Sequence, residues 1–275
     1  MLTTLEKTYR SFFPKRLKQA SVYLSALKKL CGIEIGGPSH AFTSKGFLPI
    51  YSVIEGLDGC NFSSSTVWEG NISEGNHYKF ENKTGYQYIA DGINLGMIKD
   101  QQYDFVLSCH SIEHIANPIK ALLEWKRIIK NEGFMVLVVP HKDQTFDNKR
   151  PVTTLKHLIQ DFEKNVTEED TTHFEEVIHL HDLSKDPGIS SKEELIQRTH
   201  NNIHNRCVHH HVFNAPLVAE LTNEAGFKIC HIGHFNPFNI VMLLQKTNNP
   251  IDNSIFLNWE NPVYQNPKFP SDKIG

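Results

Sequence analysis

The sequence predicts an α/β fold, a Rossmann-like, doubly wound and mostly parallel sheet with helices on both faces. Three observations carry that reading. An apolar run closes on a double glycine at Cys31-Gly-Ile-Glu-Ile-Gly-Gly-Pro-Ser39, as a first strand does when it hands over to a first helix. Downstream, apolar strand-like runs alternate with helix-period stretches, the signature of a layered α/β domain. Gly133-Phe-Met-Val-Leu-Val-Val-Pro140 is apolar throughout, as a strand buried on both faces of a parallel sheet must be.

Taken in order, residues 1–30 space Leu5, Tyr9, Phe12, Phe13, Leu17, Val22, Tyr23, Ala26, Leu27 and Leu30 as two short amphipathic helices broken by Pro14. Gly36 and Gly37 then permit positive φ and leave no Cβ between the backbone and a ligand. Leu48–Ile54 reads as the second strand, followed by Glu55 and Asp58. An acid about 20 residues beyond a glycine turn can accept both hydroxyls of a ribose, and Asp58 is preferred over Glu55. Residues 61–84, rich in Ser, Asn, Gly and Glu, read as a long loop or flap with Trp68 at its centre. Tyr88–Gly92 reads as the third strand, ending on Asp91 and Gly92, and Tyr103–Cys109 as the fourth. A helix from about Pro118 to Lys130 carries a buried stripe of Ala121, Leu122, Trp125, Ile128 and Ile129, and the strand at Gly133–Pro140 is the fifth. Ala215–Gly226 suits a last helix, with Phe227–Ile232 and Ile240–Gln245 as two closing strands.

Composition narrows the function classes. A net charge of -3 and a pI near 6.6 exclude a general nucleic-acid affinity built on a basic surface. Five scattered cysteines form no C-x-x-C pair, which suits reduced thiols in a cytoplasm. No apolar run approaches the roughly 18 residues of a membrane span, and the start of the chain has no signal-peptide core, so stable membrane insertion is not expected.

The ordered blocks Glu34-Ile-Gly-Gly37, Ala90-Asp-Gly92, Tyr103–His110, Ile112-Glu-His114, Leu122–Lys130 and Gly133–Pro140 resemble the class I S-adenosylmethionine-dependent methyltransferases, closest to the subgroup whose fourth strand runs into a turn ending in Glu-His. The resemblance covers residues 30–140, and the last helix and closing strands extend it to a seven-stranded sheet. It implies S-adenosylmethionine as cofactor and S-adenosylhomocysteine as product. It places Glu34, Gly36 and Gly37 beside the methionine moiety, Asp58 or Glu55 on the ribose, Asp91 and Gly92 at the adenine, and Ser108 and His110 beside the sulfonium. Pro38-Ser39 replaces the third glycine of the family motif. A dinucleotide fold would instead show G-x-G-x-x-G before a helix that receives the pyrophosphate, and this chain has none.

The expected organisation is therefore N-terminal helices at 1–30, a core at 31–140 and 215–246, a helical, His-rich cap at 141–214 inserted after the fifth strand, and a C-terminal strap at 247–275 with an apolar knot that includes Trp259. Insertions so placed close over the substrate. A helix over 153–163 sets His157 and Asp161 four apart on one face. The run Thr145-Phe-Asp-Asn-Lys-Arg-Pro-Val-Thr153 resembles a stretch in methyltransferases of bacterial surface-polysaccharide gene sets, which implies a sugar or nucleotide-linked sugar as the small-molecule acceptor.

Of 16 histidines most crowd into this segment, among them His200 and His204 at helical spacing and His209-His-His211. Metal binding, acceptor recognition with a general base, and structural capping compete there. A divalent metal is allowed but not favoured. Methyl transfer is an in-line displacement, and a histidine that removes a hydroxyl proton contributes about 10²- to 10⁴-fold. The candidate bases are His141, His110, His114 and one of His209–His211, with His210 central and His141 preferred because it follows the fifth strand. Arg150, His157, His209 and His211 are expected to hold the acceptor, Arg150 through its planar fork. N-methylation of an amine or phosphoramidate, a non-catalytic cofactor-binding module, and a quinone or lipid acceptor are the alternatives. A homodimer is compatible with the chain.

Overall fold

The computed structural model describes residues 15–258 and 260–273. The first of the two expected N-terminal helices, with Leu5, Tyr9, Phe12 and Phe13, and the Trp259 of the C-terminal knot lie outside the described residues. Among the described residues the strands are β1 Cys31–Ile35, β2 Gly56–Asn61, β3 Ser65–Thr66, β4 Gly70–Asn71, β5 Gly75–Phe80, β6 Lys83–Ile89, β7 Tyr103–Cys109, β8 Ile129–Pro140, β9 Lys228–Phe235 and β10 Asn239–Gln245. Eight of them form one sheet in the order β5-β6-β2-β1-β7-β8-β10-β9, and β3 pairs only with β4. β6, β2, β1, β7 and β8 run parallel. The β9–β10 hairpin closes one edge antiparallel, and β5 caps the other edge antiparallel to β6. The sheet is the expected mostly parallel, doubly wound one, with one edge strand more than the seven expected.

Both faces of the sheet are covered because the inner strands alternate between two apolar layers. Val106, Met135, Leu137 and Val139 pack under α2 (Pro118–Ile128) and α7 (Ala215–Glu224) with Trp125, Leu122 and Leu221. Phe105, Leu107, Val136 and Val138 pack on the other side under α1 (Ala20–Leu27), with Tyr23, Leu27, Phe42 and Tyr51. Each fully buried side chain of this size contributes about 1.5–3 kcal/mol. Trp125 is fully buried and donates its indole N–H to Gly92 O at 2.9 Å, so α2 grips the turn after β6. α2 starts on Asn117, whose side chain accepts from Lys120 N, with Pro118 in the first turn.

Two expected elements are displaced. The stretch 48–54 is not a strand: it holds a 3₁₀ turn, Ile50–Ser52, whose apolar side chains fill the core from a loop. The second strand is Gly56–Asn61, so Glu55 and Asp58 sit at its start and middle rather than at its tip. The stretch 61–84 is likewise structured, carrying the β3–β4 ladder and β5.

Residues 141–214 hold α3 (Leu155–Glu163), α4 (Phe174–Leu180), α5 (Lys192–His200) and α6 (Asn202–Asn205). The helix breaks at Asn201, so the expected His200 and His204 pair falls on two different helices. After β10 the chain runs back through α8 (Ser254–Leu257) and α9 (Pro262–Gln265) as a strap fixed by two buried side chains. Asn253 accepts from Ile229 N and donates to Phe227 O, and Asp272 accepts from Ala215 N at 2.7 Å.

Candidate functional site

A cavity of about 1010 Å³ opens at the carboxyl edge of the sheet. Its floor is the turn after β1. Gly36 has φ +80 and its Cα faces Ser111 Oγ so closely that any Cβ would clash, which is why glycine stands there. Glu34 lies beneath, fully buried. Its carboxylate accepts from Tyr51 Oη at 2.5 Å, Tyr78 Oη at 2.7 Å and Ser39 N at 3.1 Å. Burial raises its pKa, against the lowering effect of those three donors. Glu34 thus anchors the loop from below and does not line the cavity, and Gly37 packs against it.

At the tip of β2 the side chain facing the cavity is Asn61, which donates to Gly37 O at 3.0 Å, with Phe62 beside it. Asp58 is not at this place. It accepts from Tyr86 N and Tyr103 Oη, at 2.8 and 2.6 Å, and ties three strands together. Glu55 is further from the cavity still, at the opposite end of β2. The expectation failed because it rested on the strand being at 48–54; an acid is absent from the true tip, and nothing but correct register would have exposed Asn61.

Asp91 and Gly92 do line the cavity, after β6. Asp91 is paired at 2.9 Å with Arg206, which also reaches Glu168 at 2.8 Å and lies 5.4 Å from the Phe62 ring. Arg206 has φ +52, so the 141–214 segment places a strained residue directly on this end of the cavity. Ser108 is buried in β7, lines nothing, and its hydroxyl has no partner. His110 lines the cavity at φ +52, with Nε2 2.9 Å from Asn239 Oδ1. Burial, with His209 adding repulsion, pushes its pKa down to about 4.

Opposite this edge, the wall is built by the 141–214 segment. His209 lines the cavity and its Nδ1 lies 2.5 Å from Asp147 Oδ2. Asp147 also takes Arg150 Nη1 at 2.8 Å, and Arg150 donates to His209 O and to Glu176 Oε1 at 2.7 Å. Arg150 is 1% exposed, so its guanidinium is a buried strut and not an acceptor clamp. Burial raises the Asp147 pKa, but His209 and Arg150 outweigh it and hold the carboxyl well below the ordinary range. A carboxylate on Nδ1 fixes the tautomer that leaves Nε2 as a lone pair. Beside His209 stand His114, ring centroids 4.6 Å apart, and Glu113, whose buried Oε2 has no partner. Burial raises Glu113 to about 7, although His209 pulls the other way. Trp68, half-exposed on the β3–β4 turn, stands over His114 at the mouth.

Four other expected site residues lie elsewhere. His141 is fully buried, its Nε2 2.9 Å from Asp272 and its Nδ1 accepting from Asp143 N, so it has no free nitrogen and no access to the cavity. Adjacency to the fifth strand was a true observation, but the strap claims the ring. His210 is also buried away from the cavity, with Nε2 near Asn202 and Glu168. His157 and His211 lie outside the lining, in a cluster of their own.

Residues 57–137 match the family described as "Methyltransferase domain". That segment, under a third of the chain, is similar to a methyltransferase domain, and S-adenosylmethionine is the methyl donor of such domains. The cavity fits it: a glycine floor without Cβ atoms, the Asn61 tip and the Asp91–Gly92 turn lie along one edge. An uncharacterised protein of Methanocaldococcus jannaschii is 47% identical over 45 residues, 16% of this chain, and the match spans only a fifth (20%) of that protein. Among solved structures, a methyltransferase of Mesorhizobium loti is similar at 11% identity and TM-score 0.47, covering 82% of this chain and 95% of its own. One of Methanosarcina mazei is similar at 14% identity and TM-score 0.43, covering 83% and 98%.

Proposed function

We propose that the protein transfers the methyl group of S-adenosylmethionine to a hydroxyl of a sugar or nucleotide-linked sugar, with His209 as general base and Asp147 as its positioning residue. The observation that carries this is the Asp147–His209 pair on the wall of the same cavity whose floor is Gly36 and Asp91. The Gly36 turn would hold the cofactor's methionine end and the Asp91 turn its adenine, while Asn61 would offer one acceptor oxygen to the ribose. The residues of 141–214 form the cap over the acceptor. In-line attack needs acceptor oxygen, methyl carbon and sulfur aligned and dry. As the oxygen attacks, its proton passes to His209 Nε2; the Asp147 carboxylate stabilises the imidazolium without taking the proton. The leaving group is the neutral thioether, so no acid is required. Lys185 lines the cap side and supplies positive charge that a sugar-linked phosphate would face, beside an Arg198 already paired with Asp186 at 2.6 Å.

The test is methyl transfer to a panel of nucleotide-linked sugars, read as S-adenosylhomocysteine release, with calorimetric titration of S-adenosylhomocysteine alongside. His209→Gln should lose about 10²- to 10⁴-fold in kcat while binding the product as wild type does. Asp147→Asn should fall in the same direction. Turnover by His209→Gln within threefold of wild type sinks the base assignment, and loss of product binding in wild type sinks the cofactor reading. Glu113, poised near 7 beside the cavity, favours one second reading: an amine acceptor held by its carboxylate. Robust N-methylation with Glu113→Gln inactive would select it.

A further inference from the structure

We infer that the 141–214 segment holds a divalent transition metal, zinc by ligand type, on His157, Asp161, His173 and His211. This site stands outside the cavity and independently of the reading above. One ligand atom from each residue lies within 4.8 Å of the others. His157 Nε2 is 3.1 Å from His173 Nε2 and 3.2 Å from Asp161 Oδ2, and the His211 ring stands beside that same carboxylate. Zinc bonds of about 2.0–2.2 Å place tetrahedral ligands about 3.4 Å apart. The His157, His173 and Asp161 contacts are already near that spacing, and His211 completes the group within 4.8 Å.

The hydrogen-bond accounting points the same way. His157 Nε2 faces two partners, a nitrogen and a carboxylate oxygen, and one proton can serve only one of them. Asp161 Oδ2 is buried with no hydrogen-bond partner, and His211 Nδ1 is buried with none either. His211 Nε2 lies 3.1 Å from Ala116 O; donation to that carbonyl is the outer contact by which a metal-ligating histidine is oriented. Orphaned buried polar atoms cost about 1–3 kcal/mol each, and a cation at the centre of the cluster relieves them together.

The other two groups of this kind differ. His141, His234 and Asp272 give three ligands and no fourth, and His141 Nδ1 and Asp272 Oδ1 are already taken by Asp143 N, His141 Nε2 and Ala215 N, although His234 Nε2 and Asp272 Oδ2 are left 3.0 Å apart without a hydrogen-bond partner. Glu113, His114 and His209 give three ligands on the open cavity and no fourth. The four-ligand group is closed and belongs to three separate pieces of chain: α3, the turn before α4, and the segment that returns to the core. A metal there would cross-link them, two residues from His209.

The experiment is elemental analysis of the full chain purified without chelator or metal-affinity resin, together with cobalt titration of the stripped protein. Wild type should carry about one zinc per chain, and its cobalt form should show the strong visible bands of a tetrahedral site. His173→Gln and Asp161→Asn should each lower occupancy at least tenfold. His157→Cys, which keeps a ligand, should retain metal where His157→Gln loses it, so loss of fold and loss of ligand are told apart. Less than a tenth of an equivalent in wild type with no cobalt spectrum overturns the site. Metal retained in His173→Gln but lost in His114→Gln also overturns it, by placing the ion in the cavity.

Discussion

The cofactor edge and the 141–214 segment face each other across one cavity, and they are held by different forces. On the cofactor edge the turn after β1 rests on buried Glu34, surrounded by hydroxyl and amide donors, and otherwise on backbone, glycine and apolar strand. Across the cavity the wall is a chain of ions, Glu176–Arg150–Asp147–His209, buried except at Glu176, and a second chain, Asp91–Arg206–Glu168, joins the cofactor edge to the 141–214 segment. Apolar packing tolerates modest change, because its energy is spread over many contacts. A buried ion chain does not, because removal of one member strands the charge of the next. The acceptor side of the site should therefore be the brittle one.

Arg150→Ala is the strongest way to break that contrast. It removes a 1%-exposed guanidinium from Asp147, Glu176 and two backbone carbonyls, and should destabilise the protein by about 3–5 kcal/mol. A denaturant midpoint within 1 kcal/mol of wild type would show that the chain is solvated and the two walls are alike. Arg150→Lys should recover little, since an ammonium cannot span the same set of acceptors.

Gly36→Ala tests the cofactor edge at its least tolerant point. Positive φ and contact with Ser111 Oγ together should cost about 2–4 kcal/mol. The affinity for S-adenosylhomocysteine should fall in the same variant, whereas Arg150→Ala should spare it if the two walls are energetically separate. Equal losses of affinity would merge them.

Asp272 lets pH do the same work on the strap. Burial raises its pKa, but hydrogen bonds and charge from His141 and His234 win and lower it to about 2. A carboxyl lowered on folding adds stability that is fully present above the unfolded aspartate value near 4 and is lost as pH falls toward 2. The size of that contribution is about 2–3 kcal/mol. Asp272→Asn should lose it at pH 7, and the gap from wild type should close as the pH is taken from 5 to 2. A gap that stays constant across that range would assign the variant's effect to packing alone.

How much of this was legible in the sequence follows the same division. Periodicity revealed β7, β8, α2 and the closing hairpin, because one face or both of each must be apolar whatever the ligand. The Asp91–Gly92 turn was found because it follows a strand by one residue. Asn61 was missed because Leu48, Pro49 and Ile50 imitate a strand while filling the core from a 3₁₀ turn, and a shift of a few residues exchanges tip for middle. The histidines were visible as a crowd but not as partners. Asp147 and His209 are 62 apart in sequence, and His141 meets Asp272 across 131 residues. Such pairs are set by where the chain returns, and spacing says nothing about that. His157 and Asp161 are the exception, since one helical turn joins them.

That helix supplies the smallest and most local test. Thr154 caps α3 by accepting from His157 N at 3.2 Å, so Thr154→Ala should cost about 1 kcal/mol, roughly fivefold in an opening equilibrium. α3 packs on the core through Leu158 and through Asn117, which donates to Asp161 O. If those contacts alone hold it, amide exchange in α3 should quicken by that factor with zinc present or stripped. If the four-residue cluster also clamps it, the quickening should appear in the stripped protein and be suppressed in the loaded one, because opening the first turn must then also release His157 from the metal. The ratio of the two effects measures how firmly the acceptor wall is tied down, on a residue that touches neither cofactor nor cavity.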